Sequence, residues 1–336
     1  MLEKPQLPES YIVECLQTEY GLRVAELFFL PIGADVNTAV FRVEGANQQT
    51  YFLKLRKGDF SEVTVQLPKF LAQNGNQAII PPLPAQSQVL WVECAEYKAI
   101  LYPFIPGQDA YQCPLTHDQW IEFGQALHQL HSTRLPAGLG KSIPSEVFPS
   151  NCRAMVRSFQ RMVATSSFTD PVATELVDFM LQHQARITHT VQRAERLAQQ
   201  LPQANLEFVL CHSDIHPGNL HITPTGQMFI VDWDNPIFAP PERDLLLIGG
   251  CSTWGDPMLK SWFFQGYGAA SLNQEALAYY RYERILADFA AFGQQLLLSS
   301  EGGEDRKQSL AWFKSNFLPG HELDFAEAAD PNPGSM

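Results

Sequence analysis

Residues 212–219 read HSDIHPGN, and IVDWD follows at 230–234. Two chemistries suit these residue types. His212, Asp214 and His216 alternate along the chain and offer two imidazoles and a carboxylate, donors that zinc accepts. A closed zinc site needs a further ligand, and none stands at the expected spacing; the remaining histidines (117, 128, 131, 183, 189, 221 and 321) fall mainly in helical stretches. The second chemistry is phosphoryl transfer. It asks for a carboxylate to accept the proton of an attacking hydroxyl, and for hard oxygen donors to hold Mg²⁺ against a triphosphate. Asp214 would be the base; Asn219 and Asp232, the latter on the next hairpin, would be the metal ligands. A turn asparagine or a strand-end aspartate is commonplace singly. Three oxygen-bearing side chains at matched intervals are more specific, and they favour phosphoryl transfer.

The elements around these residues must hold them in place. EFVLC (207–211) reads as a strand feeding the HSDIHPGN loop, and NLHIT and QMFIVDW read as a hairpin through PTG. Upstream, residues 9–20 read as a helix closed by Gly21. Strand-like runs follow at 26–31, 38–44 and 50–56, then a helix over 61–74 that Pro68 breaks or kinks, then strands at 89–93 and 98–105. Pro103, Pro106 and Gly107 end the last strand. From there the pattern is helical: Thr116 and Gln119 form a capping box for a helix over 117–131, and Asp170-Pro171 opens one running towards Gln200. Four more helical stretches fill 242–318, and ADPNPGSM reads as an unstructured tail. The expected class is α+β with two lobes: a small antiparallel β lobe with one helix over 1–105, a larger, mainly helical lobe over 106–325, and a disordered tail over 326–336.

The bulk numbers agree. A chain of 336 residues exceeds the size of one ordinary core. Its formal net charge of −13 disfavours nucleic acid and anionic membranes and attracts cationic small molecules. Six scattered cysteines without a CxxC pair point to a reducing compartment. With no basic-then-apolar start and no apolar run near the ~20 residues of a membrane span, a soluble, cytoplasmic protein is expected, with no nucleic-acid or membrane partner.

Asp214 and Asn219 keep the interval of the protein-kinase catalytic loop, HRD followed by an asparagine five residues after the aspartate, and Asp232 takes the place of the DFG aspartate. HSDIHPGNL, IVDWD and ERDL together resemble the signature of the aminoglycoside phosphotransferase and choline kinase superfamily. The likeness extends over nearly the whole chain, through GADVNTA, YFLKLRKG, YPFI, IVDWDNPIFAPPERDL and YYRYERILADFAAFGQQLL. It implies a protein-kinase-like fold and an enzyme that transfers phosphate from ATP or GTP, with Mg²⁺, to a small molecule. Lys54 in FLKLR would hold the α- and β-phosphates, with Glu62 as its helix partner, although Glu62 comes early and Pro68 disturbs the helix. Gly33, Asn37 and Thr38 would cover the nucleotide, and Tyr102, Phe104 and Ile105 would meet its base. His212 would prop the catalytic loop. Asp244 would accept that loop's backbone hydrogen bonds, or equally serve as a first-turn helix carboxylate. The resemblance is best to members acting on a cationic aminocyclitol antibiotic such as spectinomycin. Asp234 and Glu283 are the carboxylates expected near such an acceptor. An endogenous amino alcohol or sugar is the alternative acceptor, and a nucleotide-binding regulator without catalysis is a further one.

Overall fold

The computed structural model describes residues 4–32, 37–299 and 303–333. The chain opens with helix α1 (Glu9–Tyr20), which stops at Gly21; its φ of +66° is a left-handed cap that glycine adopts without strain. Strands β1 (Val24–Leu30), β2 (Thr38–Gly45) and β3 (Thr50–Lys57) form the expected meander. Helix α2 (Val63–Gln73) continues through Pro68, and β4 (Val92–Cys94) and β5 (Tyr97–Pro103) complete a sheet of order β1-β2-β3-β5-β4. Side chains alternate across a strand. Phe41, Val43, Leu53, Leu55, Ala99 and Leu101 therefore share one face, where they bury with Ile12 and Leu16 of α1. The segment expected as a strand over 89–93 pairs only from Val92 onward.

Strand β6 (Gln108–Asp109), helix α3 (His117–His131) and the short α4 (Ala137–Lys141) follow. Helices α5 (Asn151–Thr165), α6 (Pro171–Gln182) and α7 (Gln184–Gln200) come next. The single helix expected from Asp170 to Gln200 is thus two. The chain breaks at His183, whose ring packs against Phe179 and Phe317 with centroids 4.2 and 4.8 Å apart. Three short strands carry the motif region: β7 (Val209–Cys211), β8 (Leu220–Ile222) and β9 (Met228–Ile230). Strand β10 (Ile237–Ala239) pairs with β7, and helices α8 (Glu242–Leu245), α9 (Pro257–Tyr267), α10 (Gln274–Leu298), α11 (Gly303–Ser315) and α12 (Glu322–Ala329) end the chain.

Two compact units result. The first holds the chain through Pro144 together with His216–Pro236; the second holds Ser145–Ile215 and everything from Ile237 onward. The first is larger than the lobe expected over 1–105, for local reasons. β6 pairs with β8, Ile79 bridges Ile230, and Gln119 of α3 donates from Nε2 to the carbonyl of Gly226 at 2.8 Å, so these segments group with the sheet. The Thr116–Gln119 capping box forms as expected.

The second unit packs around α10, whose buried Tyr279, Tyr282, Leu286 and Phe289 meet the neighbouring helices. Part of the segment expected to be disordered belongs here. α12 runs to Ala329, and Asp330 is buried, accepting from Arg193 Nε at 2.7 Å and Nη2 at 2.8 Å. Burial alone would raise the Asp330 carboxyl, but the hydrogen bonds from Arg193 and the Asn332 backbone outweigh it and hold the group below its ordinary value. Removing one partner of a buried pair strands the other charge. Asp330→Ala is therefore expected to destabilise the protein by about 3–5 kcal/mol, read from denaturant unfolding.

Candidate active site

Strand β7 ends at Cys211, and a tight reversal follows. Ser213 has φ +74°, a strained left-handed conformation for a residue with a side chain. The buried Asp244, in α8, compensates: its carboxylate accepts the backbone N–H of His212 at 2.8 Å and of Ser213 at 2.6 Å. His212, also buried, accepts the backbone N–H of Asp214 on Nδ1 at 3.3 Å. Asp214 is thereby presented on a fixed backbone, with its side chain 39% exposed. Arg284 of α10 donates from Nη1 to Asp214 Oδ1 at 2.6 Å.

The chain passes from the second unit into the first between Ile215 and His216. His216 accepts the N–H of Gly218 on Nδ1 at 3.0 Å and so caps the 3₁₀ turn Pro217–Asn219. A Cβ at Gly218 would lie 2.9 Å from the His216 ring, so this turn needs glycine. In both His212 and His216, Nδ1 accepts a backbone N–H. This suits a loop-bracing role for each histidine and not the zinc reading of HSDIH.

Asn219, buried, begins the β8–β9 hairpin, whose register sets Leu220 opposite Ile230. One step further the N–H of Val231 donates to the carbonyl of Asn219 at 3.0 Å. The hairpin therefore sets the metal-ligand candidates Asn219 and Asp232 at one end of a two-stranded ladder. Asp232 has φ +67°, a conformation aspartate tolerates better than most residues. Its Oδ1 accepts from Lys54 Nζ at 2.7 Å. The amide and carboxylate oxygens are the hard donors that Mg²⁺ takes, with phosphate oxygens and water expected to complete its shell.

Lys54 lies centrally on β3 and is largely covered. Besides Asp232 it donates to both carboxylate oxygens of Asp234, at 2.9 and 2.8 Å, and Arg56 reaches Asp234 at 3.0 Å. Burial alone would pull the Lys54 amine down, but the Asp232 and Asp234 charges outweigh it and hold it above its ordinary value. The ammonium therefore stays charged throughout the neutral range. Burial pushes the Asp234 carboxyl up, opposed by Lys54 and helped by the neighbouring Asp232 charge.

Several expected residues stand elsewhere. Glu62 is exposed at the start of α2 and accepts from Gln66 at 2.8 Å; the ion pairs of Lys54 go to Asp232 and Asp234 instead. Asp234, expected at the acceptor, is engaged by Lys54 and Arg56. Glu283, also expected there, lies on the buried face of α10 and pairs with Arg153. Burial pushes its carboxyl up, against the pull of Arg153. Gly33 lies outside the described residues. Asn37 and Thr38 follow it at the start of β2, where the Asn37 carbonyl accepts the N–H of Lys57 at 2.8 Å.

Tyr102 is part-buried, and burial pushes its phenol up to about 12. Phe104 donates its N–H to the Thr50 carbonyl at 3.2 Å, and the Ile105 carbonyl meets the His221 ring at 2.9 Å. Gly107 has no room for a side chain: a Cβ there would lie 2.4 Å from the Ile222 carbonyl oxygen and 2.6 Å from His221 Nε2. Two arginines were not singled out from the sequence. Arg56 shares a strand face with Lys54 by the period-two rule, which could have found it. Arg284 sits one helical turn before Asp288, a weaker signal.

Residues 29–281 match the phosphotransferase enzyme family. Spectinomycin phosphotransferase, solved with ADP and spectinomycin, is 32% identical over 97% of this chain and 99% of its own, with a TM-score of 0.90. A choline kinase of Streptococcus pneumoniae shares the fold at 13% identity, covering 95% of this chain and 99% of its own, with a TM-score of 0.58. The protein StrN of Streptomyces griseus is 22% identical over 180 residues, so the match spans 52% of this chain and 55% of that relative. The motifs, the strained loop and hairpin that carry them, and these likenesses converge: the chain belongs to the phosphotransferase enzyme family and has its protein-kinase-like fold.

Proposed function

We propose that the protein transfers the γ-phosphoryl group of ATP, with Mg²⁺, to a hydroxyl of a small cationic molecule, with spectinomycin as the first candidate. The observation that carries this reading is the Lys54–Asp232 ion pair, 2.7 Å long, on a hairpin that also bears Asn219. It brings the cation proposed for the phosphates to the carboxylate proposed for the metal, across 178 residues of sequence. The nucleotide assignment draws support from the ADP complex of the similar phosphotransferase and from a second structure of it with AMP, 31% identical over 95% of this chain.

The transition state of phosphoryl transfer is loose, so positioning and charge count for more than base strength. Asp214 accepts the proton of the acceptor hydroxyl. Lys54 binds phosphate oxygens and exchanges its carboxylate partners for them. Asn219 and Asp232 would hold Mg²⁺, which would supply positive charge to neutralise the phosphates. Asp244 and His212 keep the loop from relaxing. The net charge of −13 favours a cationic acceptor over an anionic one.

The test is direct. Purified protein, Mg-ATP and a panel of spectinomycin, other aminocyclitols, amino alcohols and sugars are incubated, and the products are weighed by mass spectrometry. Spectinomycin is expected to gain one phosphate. Phosphate on an amino alcohol or sugar alone would keep the kinase and change its acceptor. No phosphorylated product from any of them would remove the reading.

A further inference from the structure

Helix α10 carries Glu283 and Arg284 in succession, with Asp288 one turn on. Consecutive helical residues stand about 100° apart around the axis, and packing sends these two to different surroundings. Glu283 goes inward to Arg153, while Arg284 stays 37% exposed. Its Nη1 donates to Asp214 Oδ1 at 2.6 Å, and its Nε lies 3.5 Å from Asp288 Oδ1. The three side chains form a row, carboxylate–guanidinium–carboxylate, between 33% and 39% exposed. Ion pairs at such exposure contribute little to fold stability.

What the row does fix is a side-chain rotation. Asp244 and His212 act on the backbone N–H groups of residues 212–214, which sets the path of the loop. The direction of the Asp214 carboxylate is a separate freedom, and the guanidinium restrains it. Arginine keeps its charge at every physiological pH and bonds in a planar fork, so it favours the ionised carboxylate in one orientation. A base in proton transfer needs both properties.

We propose that Arg284 is a positioning residue for phosphoryl transfer: anchored by Asp288, its guanidinium holds the Asp214 carboxylate aimed at the acceptor hydroxyl. The proposal rests on the phosphotransferase reading above, with Asp214 as its base. It also accounts for an arginine on a surface expected to receive a cation. The guanidinium is neutralised by the carboxylates on either side of it, and the row keeps a net negative charge.

The experiment is a kinetic double-mutant cycle with Mg-ATP and spectinomycin, repeated with water as acceptor by following slow ATP hydrolysis. It uses the wild type, Arg284→Met, Asp214→Asn and the double variant, with Arg284→Lys as the conservative replacement. Arg284→Met is expected to lower kcat about 10- to 100-fold, the scale of a misaligned catalytic group, while the KM for ATP changes less than about twofold. Arg284→Lys should recover part of the loss, because it returns the charge without the fork. In the Asp214→Asn background the Arg284→Met change should cost nothing further, since residues acting through one another are not additive. A full additive loss there, or a kcat for both Arg284 variants equal to the wild type, would overturn the positioning role. If Arg284→Met does not fold, as judged by thermal melting, Arg284→Lys carries the cycle alone. A wild type that turns over neither acceptor would overturn the phosphotransferase reading itself, and the positioning role with it.

Discussion

Asp214→Asn is expected to lower kcat by about 10²–10⁴-fold, the usual cost of losing a general base. Asparagine keeps the shape of the side chain and one acceptor oxygen. It cannot take up the hydroxyl proton, and it loses the charged partner of Arg284. The loop itself should survive, because its strained Ser213 is held by Asp244 through the backbone N–H groups of His212 and Ser213, and the variant leaves that contact untouched. The Asp214–Arg284 pair is more than a third exposed on both sides, so its loss should change stability by no more than about 1 kcal/mol. Steady-state rates with Mg-ATP and acceptor, measured beside a thermal melt, separate the two effects. A large fall in kcat with an unchanged melt is the expected outcome, and unaffected transfer would show that Asp214 is not the base.

The second large effect belongs to Asp232→Asn. The substitution removes the carboxylate that both faces Lys54 at 2.7 Å and stands beside Asn219 at the end of the β8–β9 hairpin. Loss of one preorganised charge at a developing transition-state charge costs about 10²–10³ in rate. Weaker metal holding should also shift the Mg²⁺ dependence of the rate to higher concentration. The fold has an independent tether, because Lys54 keeps Asp234 at 2.8 Å and Asp234 keeps Arg56 at 3.0 Å. Rates over a Mg²⁺ titration therefore report the site rather than unfolding. If the variant and the wild type gave superimposable Mg²⁺ curves, Asp232 would not be a metal ligand.

The parts of this site that were legible in the sequence are those set by local spacing. Asp214, Asn219 and Asp232 fall within one loop and one hairpin, and their intervals reflect the turns that join short strands. Lys54 was legible because a strand of alternating apolar residues places it. Its partners were not: they lie 178 and 180 residues away, and the kinase pattern pointed instead to Glu62, which the start of α2 leaves exposed.

On α10 the error was one helical step. Ile285 and Phe289 mark its inward face, as their spacing suggests, but the helix also buries Tyr279, Tyr280, Arg281, Tyr282 and Glu283 in succession. Glu283 was expected at the acceptor as a carboxylate for a cation; it pairs with Arg153 instead, while its neighbour Arg284 reaches Asp214. The break at His183 and the ordered Asp330 share a cause. Each lies against a partner distant in sequence, Phe317 and Arg193, that no local period reports.

The central claim is that the chain transfers phosphate with Mg²⁺ and with Asp214 as the base, and phosphorus NMR of the reaction tests it most directly. The folded wild type is mixed with ATP and spectinomycin, first without divalent metal and then with Mg²⁺. On adding Mg²⁺, the γ-phosphorus resonance of ATP should give way to that of a phosphomonoester on the acceptor, and Asp214→Asn should suppress that exchange. A phosphomonoester formed as fast by Asp214→Asn, or none formed by the wild type with Mg²⁺ present, would contradict the claim.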